Sequence, residues 1–153
     1  MALDHIGLSV TDYDAALGFY QTILAPLGNK RIMSVESEHG RGTGFGKHGP
    51  SFWIHGPPSG KTSSKSSMPM HVAFAASSRK DVDRFYDAAI AAGGIDNGKP
   101  GLREYHPFYY AAYVKDMDGN NIEAVNHFEW SSWKVWAPIT MMIAVFAHFY
   151  MKH

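Results

Sequence analysis

Two stretches of this chain say nearly the same thing: Asp4-His5-Ile6-Gly7-Leu8-Ser9-Val10 and Met70-His71-Val72-Ala73-Phe74-Ala75-Ala76. Each reads as a strand headed by a histidine, because apolar residues recur at the period of two that a pleated strand imposes. Displacing the chain by 66 residues, the separation of His5 and His71, also carries Phe19-Tyr20 onto Phe85-Tyr86, Ala25 onto Ala91 and Gly28 onto Gly94 without a gap. The sequence is therefore an internal duplication, and one repeat interprets the other.

Alternation sorts the side chains of these strands into two faces. Ile6, Leu8 and Val10, with Val72, Phe74 and Ala76, make the apolar face. The opposite face carries His5, Gly7 and Ser9 in one repeat and His71, Ala73 and Ala75 in the other. A histidine followed only by very small residues leaves space in front of the sheet, which is the pattern of a cavity wall rather than of a packed core.

Working outward, Thr11 with Asp14 three residues on reads as a helix start, and Ala16, Phe19, Tyr20, Ile23 and Leu27 follow at helical spacing up to Gly28. From Arg31 to His55 the pattern changes to short extended runs broken by Gly40, Gly42, Gly44, Gly46 and Gly49-Pro50, which predicts two or three strands. Residues 56–69, built mostly of Gly, Pro, Ser, Thr and Lys, read as a linker. Within it, Gly56-Pro57-Pro58-Ser59-Gly60-Lys61-Thr62 imitates a phosphate-binding loop but is one residue short between its glycines and opens no helix.

The second repeat follows the same plan. Ser77-Ser78 cap a helix whose stripe is Val82, Phe85, Tyr86, Ala89 and Ile90 and which stops at Gly93-Gly94. Phe108 to Val114 reads as an aromatic strand, Asp116-Met117-Asp118-Gly119 as a tight turn, and Asn121 to Val125 as a final strand carrying Glu123 between Ile122 and Ala124. The expected class is α+β, with two tandem βαβββ modules (about 2–55 and 70–126) in one domain, 1–127.

Composition narrows the function. With 153 residues the chain is long enough for one substantial core, and a formal net charge of zero leaves no basic surface for nucleic acid. The absence of cysteine excludes disulfides, thiolate metal sites and a cysteine nucleophile. No signal-peptide pattern opens the chain, so a cytoplasmic location is expected.

Two histidines at equivalent positions of related half-domains, with one acid on the closing strand, form a combination that none of them makes singly. Two imidazoles and one carboxylate on one face of an ion make the 2-His-1-carboxylate arrangement, which leaves positions open for water, oxygen or a chelating substrate.

The duplicated halves, His-x-Gly/Ala at the head of each, Phe-Tyr in each helix and Asp118-Gly119-Asn120-Asn121-Ile122-Glu123 at the end resemble the vicinal oxygen chelate superfamily of glyoxalase I, bleomycin-resistance proteins and extradiol dioxygenases. The resemblance implies a cupped, barrel-like mixed sheet with His5, His71 and Glu123 as ligands of one divalent metal ion, Fe(II) or Mn(II) ahead of Ni(II) or Zn(II). A small-molecule substrate is expected, with a homodimer as one of the oligomeric states left open. Aligning Gly49-Pro50-Ser51-Phe52-Trp53 with Gly119-Asn120-Asn121-Ile122-Glu123 puts Trp53 where a fourth ligand would stand, which favours three-ligand members. Trp53 and, two residues on, His55 are assigned to the substrate pocket. The order His106, Tyr113, Asp116, Gly119, Glu123 resembles the extradiol dioxygenase signature, which implies His106 as an acid–base group and Tyr113 as a hydrogen-bonding partner of the substrate. The leading expectation is an extradiol-type dioxygenase acting on a vicinal-oxygen substrate. A glyoxalase I-like lyase or isomerase and a metal-free ligand-binding protein are the alternatives.

Residues 128–153 are extra to the duplication, with Trp130, Trp133 and Trp136 followed by an apolar run to Tyr150. From Val135 to Tyr150 the run is 16 residues and contains Pro138 and His148, short of the roughly 20 residues that span a bilayer. A packed apolar helix is the first expectation for this extension, and membrane contact through 135–150 the second.

Overall fold

The computed structural model describes residues 3–63 and 68–127. Strand β1 (Ile6–Ser9) leads into α1 (Tyr13–Leu24), a single 3-10 turn (Ala25–Leu27), and then β2 (Lys30–Ser37), β3 (Gly40–Gly46) and β4 (Phe52–Gly56). The second half repeats this as β5 (His71–Ala75), α2 (Arg79–Ala91), β6 (Ile95–Leu102), β7 (Tyr110–Lys115) and β8 (Asn121–Asn126). Each half makes a four-stranded mixed sheet, ordered β1-β4-β3-β2 and β5-β8-β7-β6, in which the first and last strands of the half run parallel side by side. The chain is thus α+β with tandem modules forming cupped sheets.

The helices begin and end where local chemistry allows. The α1 cap is Asp12, whose carboxylate accepts from the Ala15 amide at 3.0 Å, one residue beyond the expected Thr11. Thr11 is used elsewhere: its amide and hydroxyl both donate to Asp118, in the other half. Ser78 caps α2 as expected. The turn after α1 ends on Gly28 at φ 76°, a left-handed conformation that glycine adopts without a Cβ penalty. The aromatic strand expected from Phe108 begins at Tyr110; residues just before it turn back, with the Tyr109 amide donating to the His106 carbonyl.

The two halves share one core. Leu8, Val10, Phe52 and Ile54 from the first sheet join Val72, Ile122 and Ala124 from the second, with Phe19, Tyr20 and Ile23 of α1 and Val82, Phe85 and Ala89 of α2 packed among them. The rings of Phe52 and Phe74 meet edge to face at 5.1 Å, and α1 lies against α2. Pairing registers slip between Arg31 and Met33 on β2 and between Asp96 and Gly101 on β6, at corresponding places in the two halves. Such irregularities increase local twist and bend a sheet, which here produces the cups. Because both apolar faces are spent on the common core, the faces bearing His5 and His71 are turned outward.

Candidate metal centre

On the outward face of the second sheet, register brings the chemistry together. His71 opens β5 opposite Asn121, Ala73 lies opposite Glu123, and Tyr113 of β7 lies opposite Glu123 from the other side. His71 Nε2 stands 3.1 Å from Glu123 Oε2. The other carboxylate oxygen, Oε1, accepts a hydrogen bond of 2.7 Å from the Tyr109 phenol. Glu123 is 2% exposed, whereas the His71 side chain is 51% exposed. A carboxylate so deeply buried is costly unless both oxygens are engaged, and here both are.

Outer contacts fix these groups. Asn121 Nδ2 lies 2.8 Å from His71 Nδ1, and Asn97 donates to Asn121 Oδ1 at 3.0 Å. Arg103 lies over the Tyr113 ring at 5.0 Å and donates to the Ala111 carbonyl at 3.0 Å. Burial, and then the neighbouring Glu123, push the Tyr113 phenol above its ordinary range; burial and the hydrogen bond to Glu123 do the same for Tyr109. Both phenols therefore remain donors at neutral pH.

His106 sits at the rim of this face. Its Nδ1 accepts from the Phe108 amide at 3.2 Å, and its Nε2 is 2.9 Å from His127 Nδ1. An accepting Nδ1 leaves the imidazole proton on Nε2, so His106 is the donor in the bond to His127. The two imidazoles stack beside the Tyr109 ring.

The first sheet presents a different surface. Gly7 lies opposite Trp53 across β1 and β4, the pairing that corresponds to Ala73 and Glu123 in the second half, so an indole stands in the place of the carboxylate. The Trp53 and His55 rings are parallel within 8°, with centroids 5.9 Å apart. Glycine lets these rings lie close to the strands: a Cβ at Gly44 would come within 2.6 Å of Pro50 and 2.9 Å of Trp53, and one at Gly7 within 3.1 Å of His55, tight enough to displace the ring slightly. A hollow of about 490 Å³ opens beside His55, lined also by Val35, Glu36, His39 and Arg41. His5 directly precedes β1; its side chain is 58% exposed and bonded to Asp4.

Sequence comparison agrees with this duplicated architecture: the family model described as Glyoxalase/Bleomycin resistance protein/Dioxygenase superfamily matches residues 2–124. The chain belongs to that superfamily. Among solved structures, a glyoxalase/bleomycin resistance protein from Albidiferax ferrireducens T118 is 26% identical with a TM-score of 0.60, the match covering 80% of this chain and 96% of that one. A glyoxalase I mutant from Zea mays is 19% identical with a TM-score of 0.63, covering 80% of this chain and 46% of the maize chain. TioX from Micromonospora sp. ML1 is 16% identical with a TM-score of 0.58, covering 84% and 100%. The last two likenesses concern the fold alone. No curated protein matches the chain.

Members of this superfamily commonly use divalent metals, and one chain carries part of a suitable donor set. An imidazole nitrogen and a carboxylate oxygen 3.1 Å apart match two adjacent ligands at about 2.1 Å from an ion and at right angles to each other, which lie about 3 Å apart. With Asn97 donating to Asn121 Oδ1, Asn121 donates to His71 Nδ1, and the imidazole proton lies on Nε2 toward Glu123; offering the Nε2 lone pair to an ion requires both amides to turn. Two donors do not complete a site. Among the described residues no three His, Asp or Glu side chains come close enough to hold an ion, because His5 stands on the other sheet. The structure thus joins His71 with Glu123, with Tyr113 beside them, and keeps His5, Trp53 and His55 on the first sheet. Tyr109, Asn121 and His127 were not picked out in the sequence, although strand parity already puts Tyr109 on the face of Tyr113, and Asn121 and His127 on that of Glu123.

Proposed function

We propose that the protein is a divalent-metal enzyme acting on small substrates with vicinal oxygens, with extradiol-type ring cleavage as its reaction. The ligands are His71 and Glu123 of one copy and His5 of a second, in a homodimer with two equivalent sites. When bound, Fe(II) or Mn(II) supplies Lewis acidity toward the substrate oxygens and a redox partner for O2. Tyr113, 6.3 Å ring to ring from His71, donates to a substrate oxygen. The His106–His127 pair at the rim exchanges the substrate proton with solvent, and Trp53 and His55 of the second copy cover the bound ring and exclude water.

The observation that carries the choice of reaction is the pairing of Gly7 with Trp53. A glyoxalase-type isomerisation uses carboxylates from both halves, one of which moves off the ion to act as base. With an indole in one of the two places, only Glu123 remains, and it is bound on both oxygens. Held by His71, Glu123 and the second copy's His5, an ion would still have open positions to offer a chelating substrate.

A metal-free ligand-binding role is the second reading, favoured by the parallel rings of Trp53 and His55 above a glycine floor. Protein purified without chelator and loaded with Fe(II) or Mn(II) is expected to take up O2 in the presence of a catechol-like substrate. Turnover of a glutathione hemithioacetal without O2 uptake overturns the dioxygenase assignment in favour of the isomerase. Failure to retain Fe(II), Mn(II), Ni(II) or Zn(II) leaves the binding role.

A further inference from the structure

We propose that Arg103 is the anion anchor of the second half's cup, so that the substrates taken there are rings carrying a carboxylate as well as vicinal oxygens. The proposal rests on the small-molecule reading of the cup above and needs no ion. One rung of paired residues runs across the second sheet: Ala73 on β5, Glu123 on β8, Tyr113 on β7 and Gly98 on β6. Directly paired residues share a face, so an acid and a phenol stand there between a methyl group and a bare backbone.

Gly98 makes the place for the cation. It takes φ 152° between two register slips of β6, and a Cβ there would come within 2.8 Å of the Tyr113 ring and 3.4 Å of Arg103 Nη2. A residue without a side chain lets the guanidinium fold back over this rung. Arg103 Cζ stands 5.0 Å from the centroid of the Tyr113 ring, and Nη2 donates to the carbonyls of Lys99 and Ala111. The Arg103 amide donates to the Tyr109 carbonyl at 2.8 Å, so backbone and head group are both held.

Held in this way, the charge is not neutralised. Carbonyls share the hydrogen bonds of a guanidinium but carry no net charge, and among the described residues no carboxylate pairs with Arg103. Its Nε is buried without a hydrogen-bond partner among them, a donor left unspent. Arg41 in the first half is the contrast: it too lies over a tyrosine, Tyr13, but its Nη1 and Nη2 both donate to Asp14. Glu123 stands two strands from β6, about 10 Å at the spacing of a sheet. A benzene ring with a substituent at each end spans such a gap. Like charges repel, so a carboxylate is directed away from Glu123 and toward Arg103, which leaves the vicinal oxygens beside His71 and Tyr113.

The test is a ligand-observed NMR titration of full-length, chelator-treated protein with 3,4-dihydroxybenzoate and with catechol, which differ only in the carboxylate. Wild type is expected to bind the dihydroxybenzoate roughly 10-fold or more tightly than catechol, with an advantage that shrinks as NaCl is raised. Arg103→Met keeps the apolar stem and removes the charge; it should weaken the dihydroxybenzoate roughly 10- to 100-fold and leave catechol within about twofold. Arg103→Lys keeps the charge without the planar fork and should fall between the two. Lys99→Ala removes an exposed cation of the same strand and should change neither ligand. The comparison of the two ligands in wild type decides even if the methionine variant folds poorly. Equal affinities in wild type, an equal loss of both ligands in folded Arg103→Met, or the same selective loss in Lys99→Ala overturns the anchor while leaving the cup as the substrate site. Wild type that binds neither ligand overturns the anchor and the small-molecule reading together.

Discussion

Tyr20 is the residue at which the two halves are most directly fastened. Its ring sits in the common core, and its phenol donates to Asp116 Oδ2 at 2.6 Å across the chain. Burial first, and then the charge of Asp116, push this phenol far above its ordinary value of 10.0. A raised folded-state value means that the folded protein keeps a proton which the unfolded chain gives up. Stability from this group is therefore complete below pH about 10 and declines as pH rises beyond it, by about 1.4 kcal/mol per unit for one proton. Chemical denaturation from pH 8 to 11.5 should show that decline, and Tyr20→Phe should reduce its slope by about one proton while lowering stability at neutral pH. An unchanged slope in the variant would show that other tyrosines carry the alkaline loss.

At the scale of elements, the connection between β7 and β8 does more than reverse the chain. Asp116 accepts from the amides of Asp118 and Asn120, from the Asn120 side chain and from Tyr20, and Asp118 accepts from Thr11. Gly119 takes φ 82°, the left-handed conformation that closes the turn. Asn120 then accepts from the Met70 amide just before β5. One turn therefore fixes the start of β8, the approach to β5 and the first half's strand-to-helix junction. Asp116→Ala leaves several buried donors without a partner, each costing about 1–3 kcal/mol. The expected loss is about 3 kcal/mol or more in urea unfolding, with weaker binding of added metal even where the fold persists. A loss below about 1 kcal/mol would mean that the turn closes without its acid.

For the whole molecule, the decisive feature is that the histidine-bearing faces point away from a core that both halves share. Met33 and Val35 lie 45% and 50% exposed on β2, and Ile95 and Leu102 lie 63% and 58% exposed on β6. Exposed apolar side chains on the cup-forming sheets suit a symmetric partner, and a two-fold pairing would bring the first half of one copy to the second half of the other. Size-exclusion with light scattering should report a dimer. His5→Ala and Glu123→Ala proteins should each lose tight metal binding, and co-refolding the two should restore about a quarter of the wild-type sites under random pairing, because mixed dimers keep one complete set. Absence of any restoration would place all ligands within one chain. Among the described residues no helix is long and apolar enough to cross a membrane, and the extension at 128–153 lies outside them.

The duplication, the two faces of β1 and β5, the helical stripes and the superfamily were legible in the residues themselves, because alternation, helical spacing and repeat offset are local properties of a sequence. The second sheet's partnership of His71 and Glu123 was also within reach, since β5 and β8 are the outer members of one βαβββ unit. Parity says which residues share a face but not where that face is aimed, so the residues alone do not decide whether His5 and His71 face one ion within a single chain. Aim is decided by which apolar faces bury one another, and here Phe52 meets Phe74 and α1 meets α2, turning the two cups outward. The same kind of long-range contact took Thr11 from its expected capping role to Asp118. Sequence set the parts and their faces; the shared core, whose contacts join residues far apart in the chain, decided which parts work together.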